Sequence, residues 1–461
     1  MTASQQDSLA SLKQLNVDVV ERRVKPRKNW VACEIETNLA FDTQTLETYL
    51  LADWSPLVFD ALLVAAAVEF CDKICRRSTL MWGRSFVVRI PVHDPLHWNQ
   101  SNVRDSLKEA LSFLTGDIWE IEFYVRNQPA LVQRTGLLGF SNVVTAVIPY
   151  SDGLDSLAVA ELTEKKLGSG LVRVRLSSRQ QTGNTLNKRL PFASIPYDVK
   201  ATTLPFRESS GRSRGFKFSL IAGLAAFLAN TDRVIIPESG QGAMGASIVP
   251  IGQMPPDYRS HPLFMDRMSR FLFALLGHKV HFEFPQLWYT KGETLSQFIA
   301  ESNLGPTWTL TRSCWQGSRQ VGVAGKKRQC GVCAACLLRR LSVHAAGCIE
   351  SSSTYVWENL SASTFEDGVS VAFDNRNITR AMKEYAISGA LHLDHLSRIQ
   401  HSRDGQQQLS RMAFELAPVL NLSITDIQRQ FSGLLTRHEQ EWSEFIKHLG
   451  RNSFLARLVT S

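Results

Sequence analysis

No stretch of the 461 residues is apolar for long enough to cross a bilayer. The two richest runs, near 57–67 and 219–229, are short or interrupted, with Asp60 inside the first. The opening residues MTASQQDSLASLKQL lack the charged-then-apolar order of an export signal. The expectation is a cytoplasmic protein with no membrane partner. Cysteine is scarce, with eight in the chain, which is too few for a disulfide framework. Four of those eight crowd between 314 and 336, and without an export signal such crowding points to a metal. The phosphate-binding pattern G-x-x-x-x-G-K-[ST] is missing, as are internal repeats and segments dominated by Pro and Gly.

An apolar fraction of 44% and a charged fraction of 20% are ordinary for a globular chain, so a sizeable core is expected. The length exceeds what one core usually organises and predicts two or three domains. A net charge of +8 implies modest attraction to anions. The densest basic run, Arg22 to Lys28, has no aromatics interleaved for base stacking. It reads as a solvated surface segment, with nucleic acid as an unsupported alternative.

Hydrophobic spacing predicts a helix over 57–70, a strand over 85–92, a helix over 106–114 and a strand over 119–125. From 143 to 236 strands and helices alternate in the rhythm of a doubly wound parallel α/β sheet. Strands are expected at 143–148, 171–176 and 233–236, with helices at 157–166 and 216–229. Residues 380–460 read as almost wholly helical, clearest at 382–391, 411–420 and 442–449.

One loop in the middle region carries chemistry. The strand Val143–Ile148 runs through Ser151, Asp152, Gly153, Leu154, Asp155 and Ser156 directly into a helix. That order aims free backbone N–H groups and the positive helix end at one point, where an anion can sit. Gly153 permits close approach, and the Ser151 and Ser156 hydroxyls can donate to phosphate oxygens. Asp155 would face magnesium rather than a phosphate. The plainer alternative is that these residues only cap the helix.

The cysteines Cys314, Cys330, Cys333 and Cys336 follow C-x15-C-x2-C-x2-C. Two tight steps gather three thiolates, and the fourth closes a tetrahedron suited to structural zinc. An iron–sulfur cluster is the alternative. Cys71 and Cys75 sit one helical turn apart without nearby ligand partners, so they, like Cys33 and Cys348, read as core thiols.

Ser-Asp-Gly-Leu-Asp-Ser after a strand resembles the S-G-G-x-D-S signature of the PP-loop ATP pyrophosphatases, with Asp152 at the second glycine. A carboxylate there must point away from polyphosphate or share a metal. Thr311 to Gly317 together with Cys330 to Arg339 resembles the C-terminal zinc motif of QueC-type 7-cyano-7-deazaguanine synthases. Pro285 to Glu293 is similar to that family's P-L-x-x-x-T-K-x-E segment. Gly211 to Phe216 is similar to its G-R-N-x-x-F element, with Ser213 for asparagine. The four elements stand in the family's order across 140–350.

The resemblance implies ATP, magnesium and zinc as cofactors, with Ser151 to Ser156 and Arg214 binding ATP. It implies Asp155, Lys291 and Arg212 as catalytic groups. Arg212 and Arg214 could clamp an oxyanion or be surface arginines; Lys291 could neutralise leaving pyrophosphate or be solvated. Lys326, Lys327 and Arg328 read as a solvated run or a flap over triphosphate. The expected layout is an α/β accessory domain at 1–135, a QueC-like PP-loop domain at 136–350 and a mainly helical region at 351–461.

The implied reaction adenylates a deazaguanine carboxylate. The flanks make the chain longer than the compact QueC enzymes and resemble the QatC-type proteins of anti-phage operons, whose implied acceptor is a protein amine. Free nitrile synthesis with ammonia, a tRNA-modifying enzyme and a non-catalytic scaffold are the alternatives.

Overall fold

The computed structural model describes residues 14–43, 46, 55–77, 83–127, 144–177, 193–202, 205–316 and 321–460. Val143, the residue expected to open a strand, and Gly317, in the cysteine motif, lie outside them. The strands of the two larger sheets are β1 (Gln14–Val20), β2 (Val31–Glu34), β3 (Leu39–Phe41), β4 (Ser85–Val92) and β5 (Ile118–Val125), followed by β6 (Ala146–Pro149), β7 (Leu171–Ser177), β8 (Ala193–Val199), β9 (Arg233–Ile235) and β10 (His281–Glu283). The principal helices are α1 (Pro56–Ile74), α2 (Ser101–Thr115), α3 (Leu154–Leu167), α4 (Arg214–Leu228), α5 (Pro262–Leu276) and α6 (Lys291–Glu301). They continue with α7 (Ala334–Ala345), α8 (Arg380–Arg398), α9 (Arg403–Leu420), α10 (Ile424–Leu449) and α11 (Phe454–Thr460).

The chain divides into two compact units, 1–150 with 167–236 and 258–283, and 151–166 with 237–257 and 284–461. Residues 1–135 therefore lie wholly in the first and 351–461 wholly in the second, while 136–350 contributes to both.

In the first unit β4 alternates buried and half-buried side chains, which suits a strand covered on both faces. It lies inside a four-stranded sheet of order β2-β1-β4-β5, parallel throughout. A second sheet has the order β10-β9-β6-β7-β8-β3 and is parallel except where β3 pairs with β8. A strand from the first 135 residues thus completes the edge of the second sheet. Helix α2 buries Val103, Leu107, Ala110, Leu111 and Leu114, one stripe at helical spacing, and stops at Gly116, whose φ of 70° favours glycine. It packs on α5, while α1, Ala-rich and buried on nearly every side, packs on α4. The α/β class with parallel sheets and a helical C-terminal region is therefore as the sequence implies.

Strand order changes direction at β6: β7 and β8 lie to one side, β9 and β10 to the other. Ligands of open α/β sheets bind beyond the carboxyl ends of strands at such a switch point. The residues that follow β6 are Tyr150 to Gly153, the loop singled out in the sequence.

Buried charge fixes the start of α4. Asp72, on α1, bonds Arg84 at 2.6 Å and accepts the backbone N–H of Ser213 at 2.9 Å. Burial alone would raise Asp72, but the Arg84 guanidinium holds it below the usual carboxylate value. Cys71 and Cys33 are buried, and burial pushes both thiols up, consistent with core packing.

The second unit is mainly helical. Helices α7, α8, α10 and α11 share one core with the cysteine segment, built on Leu337, Leu341, Trp357, Leu393, Trp442 and Leu455. Among the described residues no helix is long and apolar enough to cross a membrane.

Candidate functional site

Two parts of the second unit meet at the loop. The Ser151 and Ser156 hydroxyls lie 2.8 Å apart, and Ser151 Oγ also accepts the Gly153 N–H at 3.2 Å. A Cβ on Gly153 would stand 3.1 Å from Ser151 Oγ, so a bare backbone suits the turn. Asp152 enters through its main chain, its carbonyl accepting the Arg312 N–H at 2.7 Å. This ties the loop to the segment that opens the cysteine cluster.

Asp155 sits in the first turn of α3, 6% exposed, and its Oδ2 pairs with the ammonium of Lys291. Its other oxygen is buried with no hydrogen-bond partner, so it retains capacity for a ligand. Lys291 is 7% exposed, which removes the solvated alternative. Its place follows from local chemistry. Thr290 caps α6 by accepting the Glu293 N–H at 3.0 Å, and Glu293 accepts the Thr290 N–H at 2.7 Å. In the T-K-x-E pattern the threonine and glutamate therefore build a capping box, and the lysine is delivered inward from its first turn.

Arg212 and Arg214 belong to the first unit. Arg212 is buried, whereas Arg214 is exposed and stacks its guanidinium over Phe218, 5.2 Å from the ring centroid. Lys326 and Lys327 are exposed on one strand of a small hairpin, opposite Gly322 and Val323. Arg328 turns instead to Glu358 and to the Tyr355 carbonyl.

Cys314, Cys330, Cys333 and Cys336 offer four sulfurs within 4.8 Å of one another. The sulfurs of Cys330 and Cys336 are 3.8 Å apart, matching the edge of about 3.8 Å expected for a tetrahedron with zinc–sulfur bonds of about 2.3 Å. Backbone N–H groups point at the sulfurs, from Cys330 and Gln316 to Cys314 and from Cys333 to Cys330. Burial raises the thiols of Cys330 and Cys336, a cost that a bound divalent cation would offset. The donor set and spacing fit structural zinc, which would crosslink the segment and leave no position for a catalytic water. Buried Gln329 anchors the segment, its Oε1 accepting the N–H groups of Ser313 and Cys314. Arg339, also buried, bonds Thr311 Oγ1, the Trp308 carbonyl and Glu350.

The cysteine segment and the lysine segment fall within one stretch that matches a known family model, described as Queuosine biosynthesis protein QueC. Residues 243–347 carry a QueC-family domain. The QueC match includes Lys291 and all four cysteines, while Ser151–Ser156 and Gly211–Phe216 lie before it. No curated protein matches the chain.

Sequence reasoning missed several groups around the QueC-family lysine. Gln241 Oε1 accepts the Lys291 backbone N–H at 2.6 Å. It opens a short glycine-rich π-helical segment, Gln241–Gly245, after β9, a second strand–glycine–helix passage that could have drawn notice. Arg437, His438 and Glu441 of α10 also reach this segment, and no local pattern marks them.

Proposed function

We propose that this protein uses ATP to activate a deazaguanine carboxylate of the 7-carboxy-7-deazaguanine kind as an acyl-adenylate, then joins it to an amine. The carrying observation is the buried pair between Asp155 of the loop and Lys291 of the QueC-family segment, two motifs far apart in sequence.

A carboxylate resists nucleophiles until one oxygen becomes a leaving group. One carboxylate oxygen attacks the α-phosphorus of ATP, the bond from that phosphorus to the bridging oxygen breaks, and pyrophosphate leaves. The loop N–H groups and the Ser151 and Ser156 hydroxyls bind phosphate oxygens. Lys291 offsets negative charge gathering on the leaving pyrophosphate. Asp155, with its open oxygen, would hold magnesium, which supplies positive charge to the phosphates. An amine nitrogen then attacks the acyl carbon, AMP departs, and the nitrogen loses a proton, leaving an amide.

We favour a protein amine as acceptor, within an anti-phage system of the QatC kind, because residues 1–135 and 351–461 fall outside the matched family segment. The match to a queuosine biosynthesis family supports a second reading, free 7-cyano-7-deazaguanine synthesis, in which ammonia is the acceptor and a second ATP drives dehydration of the amide to a nitrile.

Incubation with ATP, 7-carboxy-7-deazaguanine and either ammonia or candidate partner proteins, followed by mass measurement, tests the proposal. Pyrophosphate release should fall at least about 100-fold in Asp155→Ala and Lys291→Ala. A free nitrile without any protein adduct would sink the conjugation reading, and tight complexes without turnover would favour a scaffold.

A further inference from the structure

Helix α10 presents Arg437, His438 and Glu441 to the turn that carries Lys291. Arg437 donates to Glu293 Oε2 at 3.0 Å and to the Trp288 carbonyl at 2.6 Å. Glu441, one turn further along, takes the Thr290 hydroxyl on Oε1. Since that hydroxyl also accepts the Glu293 N–H, the carboxylate orients the cap of α6.

His438 acts at one remove, and its hydrogen-bond directions follow from chemistry. It is 0% exposed, with Nε2 2.9 Å from the Leu393 carbonyl and Nδ1 2.9 Å from Gln241 Nε2. A carbonyl only accepts, so Nε2 carries the proton and Nδ1 must accept from the Gln241 amide. That turns Gln241 Oε1 toward the Lys291 N–H, which it accepts at 2.6 Å. One buried histidine thereby fixes an amide, and the amide fixes the backbone of Lys291.

The fit is close. A Cβ on Gly292 would stand 2.8 Å from both Glu441 Oε1 and the Ala345 Cβ, so the approach of α10 needs glycine there. Gln241, Arg437, His438 and Glu441 all lie outside the 243–347 match.

We infer that α10 is a positioning element for Lys291, in which Arg437, Glu441 and the His438–Gln241 relay set where its ammonium meets Asp155. These groups act through Lys291 and touch no substrate. The inference rests on the adenylation reading, in which the place of that ammonium governs the rate. A misplacement of about 1 Å can cost about 100-fold.

The test compares the full-length wild type with Arg437→Ala, Arg437→Lys and Glu441→Gln. Pyrophosphate release with ATP and 7-carboxy-7-deazaguanine is measured beside amide hydrogen exchange. Arg437→Ala should lower kcat about 10- to 100-fold and leave KM for ATP within about threefold, as expected when geometry rather than binding is lost. Arg437→Lys should recover part of kcat, because an ammonium can still meet Glu293. The Lys291 amide should exchange faster in Arg437→Ala, while amides of α7 keep wild-type protection.

Unchanged kcat and unchanged Lys291 exchange in both Arg437→Ala and Glu441→Gln would overturn the positioning role and leave the adenylation reading intact. A kcat loss matched by general loss of protection, with no recovery in Arg437→Lys, would also overturn it. Absence of pyrophosphate release from the wild type defeats the adenylation reading instead, and Lys291 exchange then still decides whether α10 holds this turn.

Discussion

Glu441 is the most perturbed carboxyl beside the site. Burial, reinforced by the neighbouring Glu293 carboxylate, raises it from 4.5 to about 7 despite bonds from Thr290 and Gln241. The folded chain thus holds this proton more tightly than the unfolded chain. Its stabilising share is complete below about pH 4.5 and is lost as pH rises through about 7. Glu441→Gln keeps the acceptor for Thr290 without the titration. The stability difference between wild type and variant should therefore move in the variant's favour by up to about 3 kcal/mol between about pH 5 and about pH 8. Chemical unfolding at a series of pH values reads this, and parallel curves would contradict the assignment. Sequence could not supply this residue. Glu441 stands in a polar run between two apolar positions, and nothing local separates it from an ordinary solvated glutamate.

At the scale of elements, legibility followed locality. The loop from Ser151 to Ser156 and the cysteine set were plain because their chemistry is written in consecutive or closely spaced residues. The capping box of α6 was equally local, yet its job is geometric, and only the structure separates the delivered Lys291 from the two residues that deliver it. Helices α9 and α10 fall within the stretch 380–460 that reads as almost wholly helical, but only 411–420 and 442–449 read clearly, since polar residues in the exposed turns hide the rest of the stripe. The short strands β3 and β10 carry too few residues for a period, and Pro196 obscures β8. The cysteine segment gives a prediction of its own. Purified protein should hold one zinc per chain, and none of the visible absorption of an iron–sulfur cluster. Chelation should expose Cys330, Cys333 and Cys336 to a thiol reagent and speed amide exchange at Ser313 and Cys314. Cys336→Ser should lose the metal and lower the melting temperature.

At the scale of the whole molecule, three buried histidines among the described residues are held neutral. Burial lowers His261 from 6.5 to about 3, and lowers His392 and His438 to about 4. His261 accepts the Leu263 N–H at the start of α5, while His392 and His438 bond the carbonyls of Val249 and Leu393. Each must take up a proton on unfolding in acid. Their contribution is present above about pH 6.5 and is lost as pH falls toward 4 and 3. Both compact units should weaken together, each histidine adding up to about 1.4 kcal/mol of loss per pH unit between about pH 5.5 and about pH 4.5. His261→Asn keeps a capping acceptor and should reduce the protons taken up by about one, measured from denaturation midpoints against pH. An unaltered slope would show that His261 does not titrate on unfolding.

The reach of α10 also has a meaning in time. A chain growing on the ribosome has Asp155 and Lys291 long before it has Arg437, His438 and Glu441. Until the last of these emerges, Gln241 has no histidine to orient it and the cap of α6 has no carboxylate above it. Nascent chains and products clipped ahead of α10 would carry the motifs without the seated lysine. Seating of the Lys291 ammonium is thereby coupled to synthesis of α10.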